Sequence, residues 1–258
     1  MSRANQPAQR LAGTTAVVTG AGRGIGRAIA LCLAAEGADL VLLERDEAPL
    51  LEAAAEIERL GRAALPLAVD CTDVVAVERA FAEAKGRAGA IDILVNNVGQ
   101  SARERSSEFC QSTPEVWRFV IDVSLFSTLL CSRQVAPEMR QRGSGKIINI
   151  SSHVAFTGNV GAADYAAAKM GVLGFTRSLA QELAPHGVNV NAVCPGVVRT
   201  RVLDRLSKES VEELRDAVPM RRIAEPEEIG RVVVFLASSD SDFVTGQSII
   251  VDGGQWMI

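Results

Sequence analysis

The sequence predicts an α/β fold, a doubly wound sheet of seven parallel strands with helices on both faces, in a single domain. Short apolar, β-rich runs alternate with alanine- and leucine-rich helical stretches along the chain, and strands alternating with helices imply parallel pairing with the helices packed on either face. Polar residues and glycines gather where those runs end, at Gly20, Gly22, Gly24 and Gly26, at Glu44, at Asp70, at Asn97 and Gly99, and at Ser152. In such sheets ligands collect at the carboxyl ends of the strands. A length of 258 residues with 48% hydrophobic content suits one large α/β domain.

In order, residues 1–10 are polar and predict a flexible tail, and the domain occupies 11–258. The first strand ends at Thr19, a glycine-rich turn follows, and a helix over 27–36 stops at Gly37. That strand, glycine turn and helix either cradle a phosphate, through close backbone approach and open helix amides, or form a tight packing turn. Strands are expected at 39–44, 63–69 and 91–95, with helices over 47–60 and from 72 or 73 to 85. Thr113-Pro114-Glu115 is a strong helix start, and that helix should run through Trp117 and Ser124 to about Arg142 with a kink at Pro137. A strand over 146–150, a helix ending at Ala184, a strand over 188–193, a helix over 226–237 and a last strand over 248–251 complete the pattern. The charged stretch 200–222 follows a strand end, where a lid would be useful.

Composition narrows the function. A net charge of −4 with no block of lysine or arginine argues against nucleic acid as a partner. The apolar runs read as too short to span a bilayer and residues 1–10 lack a signal-peptide core, which predicts no membrane partner and a cytoplasmic protein. Five cysteines (32, 71, 110, 131 and 194) show neither paired nor histidine-partnered spacing, so no disulfide framework and no metal site is expected.

Chemistry concentrates at Ser152, Tyr165 and Lys169. Tyr165 is the one tyrosine in the chain and lies four residues before Lys169, so on a helix the phenol and the ammonium share a face. A nearby cation lowers a phenol's pKa and makes it a usable proton donor or acceptor. Ser152, at the preceding strand end, would hydrogen-bond the same substrate oxygen. Taken alone, the spacing is better explained by a packing tyrosine and a solvated lysine, because a four-residue spacing arises easily by chance.

The motifs together resemble the short-chain dehydrogenase/reductase family over nearly everything from Leu11 to Gly254. Thr19-Gly20-Ala21-Gly22-Arg23-Gly24-Ile25-Gly26 is similar to that family's Thr-Gly-x-x-x-Gly-x-Gly cofactor loop, and Asn96-Asn97-Val98-Gly99 to its Asn-Asn-Ala-Gly. Ser152, Tyr165 thirteen residues later, and Lys169 match its catalytic serine, tyrosine and lysine, while Pro195, Val198 and Thr200 match the segment that holds the nicotinamide carboxamide.

The resemblance implies a Rossmann-like fold and hydride exchange between NAD(P) and a small alcohol or ketone. It gives Tyr165 as general acid or base, Lys169 as ribose holder that lowers the phenol's pKa, and Ser152 as orienting hydroxyl. Ser124 stands where the family has a proton-relay asparagine; it either shares that catalytic role or bonds back to a carbonyl of its own helix. Glu44 at the second strand end would accept the ribose hydroxyls and favours NAD, although Arg23 or Arg45 could meet a 2′-phosphate. Asp70 and Cys71 would contact adenine, or Asp70 caps its own turn. His153 either faces the substrate or turns away, and Gln100, Arg103 and Arg105 either favour a polar substrate or are solvated.

Gly171 and Gly174 would let the Tyr165 helix pair across a homodimer, often within a homotetramer, with 251–254 adding a second interface. Two other functions stay open, an NADPH-dependent 3-oxoacyl-thioester reductase and a dinucleotide-binding regulator without turnover.

Overall fold

The seven apolar runs hydrogen-bond into one parallel sheet in the computed structural model, which describes residues 9–201 and 203–257. The strands are β1 (Thr15–Thr19), β2 (Asp39–Glu44), β3 (Ala64–Ala68), β4 (Ile93–Asn96), β5 (Gly145–Ile150), β6 (Val188–Pro195) and β7 (Ser248–Val251). Their spatial order is β3-β2-β1-β4-β5-β6-β7. The winding reverses between β1 and β4, where Val17 pairs with Val41 on one side and Leu94 on the other. Connections leave the sheet in opposite directions at that point, which opens a crevice at the strand ends.

Helices α1 (Gly24–Ala35), α2 (Glu47–Arg59), α3 (Val74–Ala88), α4 (Pro114–Ile121), α5 (Ser127–Arg142), α6 (Val154–Thr157), α7 (Ala163–Leu183), α8 (Lys208–Asp216) and α9 (Pro226–Ala237) follow in chain order. Successive strand residues point to opposite faces. Ala16 and Val18 therefore join Leu40, Leu42 and Ile148 under α1, α2 and α9, while Val17 joins Val41, Leu94 and Ile147 under α3, α5 and α7. Two apolar faces are what a parallel sheet covered on both sides requires.

Four expectations need correction. Residues 1–8 of the expected tail lie outside the described residues, but Arg10 is tied down by an ion pair to Glu36 at 2.6 Å, and Leu11 is buried. The first helix starts at Gly24, inside the glycine motif. The helix expected over 113–142 is irregular at a π-helical turn, Asp122–Phe126, and Pro137 lies inside α5. Such a turn inserts an extra residue and shifts the side chains on either side of it. Finally, Pro114–Arg142 taken together is long and apolar enough to cross a membrane by length and composition. Here it packs as a core element, with Val120 beside Ala168 of α7 and Cys131, Val135 and Met139 in the layer below the sheet.

The segment after β6 holds a 3₁₀ turn (Leu203–Arg205) and α8, which buries none of its residues. Arg205 pairs with Glu104 at 2.6 Å, linking this segment to the loop after β4.

Candidate active site

The end of β1 passes into α1 through a turn that only glycines fit. Gly20 and Gly24 have φ of +64° and +52°, a region that side chains disfavour. A Cβ on Gly26 would lie 2.0 Å from the Gly20 carbonyl oxygen. Asn97 holds the turn from β4. Its side-chain amide donates to the carbonyls of Thr19 and Gly20 at 3.0 and 3.2 Å, and its backbone N–H donates to Thr19 Oγ1 at 2.9 Å. Arg23 at the α1 N-cap makes no side-chain cap, so the first-turn amides of α1 are available to an anion. Ile25 is partly buried against the apolar layer beneath.

At the end of β2 the Glu44 carboxylate accepts N–H bonds from Gly22 (3.3 Å), Arg45 (2.8 Å) and Asp46 (3.2 Å). A Cβ on Gly22 would meet Glu44 Cγ at 2.9 Å, so loop and carboxylate are in contact. At the end of β3, Asp70 Oδ1 accepts from the N–H and hydroxyl of Thr72 at 2.9 and 2.8 Å, the turn-capping alternative, and Cys71 is buried.

The Ser152, Tyr165 and Lys169 side chains converge where β5 ends. Ser152 is 7% exposed and its hydroxyl accepts the Val154 N–H at 3.2 Å. Tyr165 packs with Phe119, Leu125 and Ala168. Burial pushes its phenol above the ordinary value of 10, and a hydrogen bond with the Ser152 hydroxyl pulls it back. Lys169 is 2% exposed, and burial brings its ammonium down to about 8. Its Nζ donates to the Ile150 carbonyl at 2.8 Å and lies 5.8 Å from the centre of the Tyr165 ring. Without a dinucleotide the ammonium is spent on this carbonyl, and desolvation dominates the phenol; the expected lowering by Lys169 concerns the complex with the oxidised nicotinamide.

Ser124 is fully buried, on the π-helical turn. Its hydroxyl donates to the Gln100 carbonyl at 2.9 Å and accepts the Gln100 N–H at 3.0 Å. Among its hydrogen bonds there is none back to its own helix and none to the serine, tyrosine or lysine; both tie it to the loop after β4. Gly99, next in that loop, leaves space for the lysine: a Cβ there would come within 2.6 Å of Lys169 Nζ.

Pro195 ends β6, Val198 bridges in parallel to Ala224, and the Thr200 methyl lies 3.4 Å from where a Cβ on Gly24 would stand. The segment after β6 thus reaches back to the glycine turn. His153 turns towards Asp252, with Nδ1 4.0 Å from Oδ2. Arg105 stacks on Phe119 at 4.3 Å.

Sequence reasoning missed a buried polar chain beneath the site. Asn96 donates to Ser132 and Asn149 at 2.9 and 2.8 Å, Asn149 donates to Thr176 at 2.9 Å, and the Ser151 hydroxyl donates to the Lys169 carbonyl at 2.8 Å. These bonds lock β4, β5 and α7 in register, and buried polar groups of this kind specify one arrangement. An asparagine inside the otherwise apolar run of β5 was the available signal. Gly171 also departs from its expected dimer role, since a Cβ there would meet Leu125 at 2.9 Å, whereas Gly174 has open space.

These features fit a dinucleotide. Open helix amides and a glycine turn suit a pyrophosphate, Glu44 suits ribose hydroxyls, and a buried ammonium lies next to a phenol and a serine hydroxyl.

A family model described as enoyl-(acyl carrier protein) reductase matches residues 20–255. The short-chain reductase protein NovJ of Streptomyces niveus is 42% identical over 249 residues, covering 94% of each chain. The 3-oxoacyl-[acyl-carrier-protein] reductase FabG of Vibrio harveyi is 40% identical over 248 residues, covering 96% of this chain and 99% of that protein. A crystal structure from Sinorhizobium meliloti 1021, provisionally assigned as a short-chain alcohol dehydrogenase, superposes with a TM-score of 0.90 at 35% identity, over 96% of this chain and 98% of the other. Fold, site and relatives together define an NAD(P)-dependent oxidoreductase acting on CH–OH or carbonyl groups. The chain belongs to the short-chain dehydrogenase/reductase family.

Proposed function

We propose that the enzyme interconverts a small secondary alcohol and its ketone, with NAD preferred as the dinucleotide. The observation that carries this reading is the meeting of the Ser152 hydroxyl with the only phenol of the chain, one helical turn from a buried ammonium. Ser152 holds the substrate oxygen and polarises it, a donor fixed in advance at the point where charge develops. Tyr165 gives a proton to that oxygen in reduction and takes it in oxidation. Lys169 holds the ribose hydroxyls and, once drawn from the Ile150 carbonyl towards them, opposes the desolvation that raises the phenol. When bound, the nicotinamide dinucleotide supplies or accepts the hydride.

Gly20, Gly22, Arg23, Gly24, Ile25 and Gly26 would cradle the pyrophosphate and Glu44 the adenosine ribose. Asp70 and Cys71 would flank the adenine, with Pro195, Val198 and Thr200 at the carboxamide. Gly99 would line the mouth and Asn97 would keep the glycine turn in shape. The 200–222 segment closes over the site, and Ser124 holds Gln100 beneath it.

Support for an oligomer comes from the free edge of β7, where Val232, Phe235, Ile249 and Val251 border an open cavity of about 500 Å³, and from the open side of Gly174. Five free cysteines suit the cytoplasm.

Turnover of a ketone panel with NADH and NADPH, and of an alcohol panel with NAD⁺ and NADP⁺, by wild type and Tyr165→Phe, tests the reading. Wild-type turnover that vanishes in the variant is expected, and a variant retaining wild-type rates would refute the assignment. The 40% identity to a 3-oxoacyl-thioester reductase favours a second reading, which a strong preference for NADPH and for thioester over simple ketones would establish.

A further inference from the structure

We infer that Asp46, together with Glu44, sets the dinucleotide preference by holding the Arg23 and Arg45 guanidiniums away from the place a 2′-phosphate would take. This deepens the NAD reading and rests on it. Asp46 is the N-cap residue of α2, in extended conformation, with φ −87° and ψ 113°. An aspartate there ordinarily accepts an N–H from the first helical turn. Asp46 makes no such bond. Its carboxylate turns to the glycine turn instead, with Oδ2 2.8 Å from Arg23 Nη1 and Oδ1 3.8 Å from Arg45 Nε.

The consequence is electrostatic. Arg23, Glu44, Arg45 and Asp46 sum to zero charge. Both guanidiniums are well exposed, Arg45 at 72% and Arg23 at 42%, so each has the freedom to swing. A phosphate monoester carries close to two negative charges and takes guanidinium forks in pairs. With Asp46 in place, a 2′-phosphate would meet two arginines already shared with one carboxylate, and a second carboxylate, Glu44, beside them. Neutralising Asp46 alone leaves the cluster at +1 and frees both forks.

The test is binding rather than turnover. Dissociation constants for NADH and NADPH are measured by fluorescence titration, and that for adenosine 2′,5′-bisphosphate by calorimetry, on wild type, Asp46→Asn and Arg23→Ala/Asp46→Asn. Glu83→Gln, which changes net charge equally on α3, is the control. In Asp46→Asn the ratio of the NADPH to the NADH constant should fall about tenfold, the scale of one unit charge acting on a phosphate through a mostly aqueous few ångströms. Adenosine 2′,5′-bisphosphate should tighten in parallel, and both gains should shrink in high salt and in the double variant. Glu83→Gln should keep the wild-type ratio.

A wild type that binds NADPH more tightly than NADH sinks the NAD reading and the role of Asp46 with it. A wild type that prefers NADH, with an unchanged ratio in Asp46→Asn, overturns the role of Asp46 and leaves the NAD reading standing. A gain that survives Arg23→Ala in full also overturns it.

Discussion

Gly99 and Lys169 face each other so closely that a methyl group on Gly99 would stand 2.6 Å from the lysine Nζ. The glycine is therefore required by a side chain, not by a turn, since Gly99 is not among the glycines with positive φ. Gly99→Ala should push the flexible end of Lys169 off the Ile150 carbonyl, now 2.8 Å away. Misplacing a reacting group by about an ångström costs on the order of a hundredfold, so kcat/KM should fall by 10- to 100-fold. Little change in Tm is expected, because only the tip of the side chain has to move. Steady-state kinetics beside a melting curve checks this, and a variant with wild-type kcat/KM would show that the close approach has no consequence.

Lys169 should destabilise the protein measured without dinucleotide. Unfolded, it keeps its proton to 10.5, and folded only to about 8. Between those values the unfolded chain binds more protons, so stability rises with pH across that window. Below pH 8 the penalty is present in full, about 3 kcal/mol from a shift of this size. Lys169→Met removes it but leaves the Ile150 carbonyl without its donor, which costs about 1–3 kcal/mol. The net expectation at pH 7 is a Tm higher by a few degrees with turnover lost, and an advantage that shrinks towards pH 10. A variant less stable than wild type at pH 7 would contradict this.

Much of this was legible in the sequence because glycines and polar residues end strands that are otherwise apolar. Gly20 to Gly26, Glu44 and Ser152 stood out against runs of valine and leucine, and their order along the chain placed them on one edge of a parallel sheet. Directions of side chains were not legible. Nothing in the spacing of Tyr165 and Lys169 says that the ammonium rests on a backbone carbonyl, since Ile150 is identified only when β5 and α7 pack. The π-helical turn at Asp122–Phe126 has no proline or glycine to mark it, so the sequence places Ser124 on a helix without revealing its partner, Gln100. A sequence does not show that Leu125 lies 2.9 Å from where a Cβ on Gly171 would stand, which takes that glycine away from an outside surface.

Ser124 offers a test of positioning against proton transfer. Its hydroxyl makes two bonds to the backbone of Gln100. Ser124→Ala removes both and should cost about 1–3 kcal/mol. A looser Gln100 should also raise the cofactor KM several-fold, on the order of 1 kcal/mol of lost positioning. The pH dependence of kcat should keep its midpoint, because the hydroxyl does not touch the phenol. A displaced midpoint with unchanged KM would instead make Ser124 a proton carrier.

The single tyrosine makes the proposed acid and base directly observable, because phenolate absorbance near 295 nm reports Tyr165 alone. Without dinucleotide, burial outweighs the Ser152 hydrogen bond, so the transition should lie above the ordinary value of 10. Ser152→Ala deletes the one contribution that lowers it and should move the transition further up. Saturating NAD⁺ should move it down, since the cationic nicotinamide ring favours phenolate. Circular dichroism recorded on the same samples separates titration from alkaline unfolding. A transition at 10 that ignores both Ser152→Ala and NAD⁺ would mean that the phenol is neither buried beside that hydroxyl nor near the cofactor, and the assignment of Tyr165 as acid and base would fall with it.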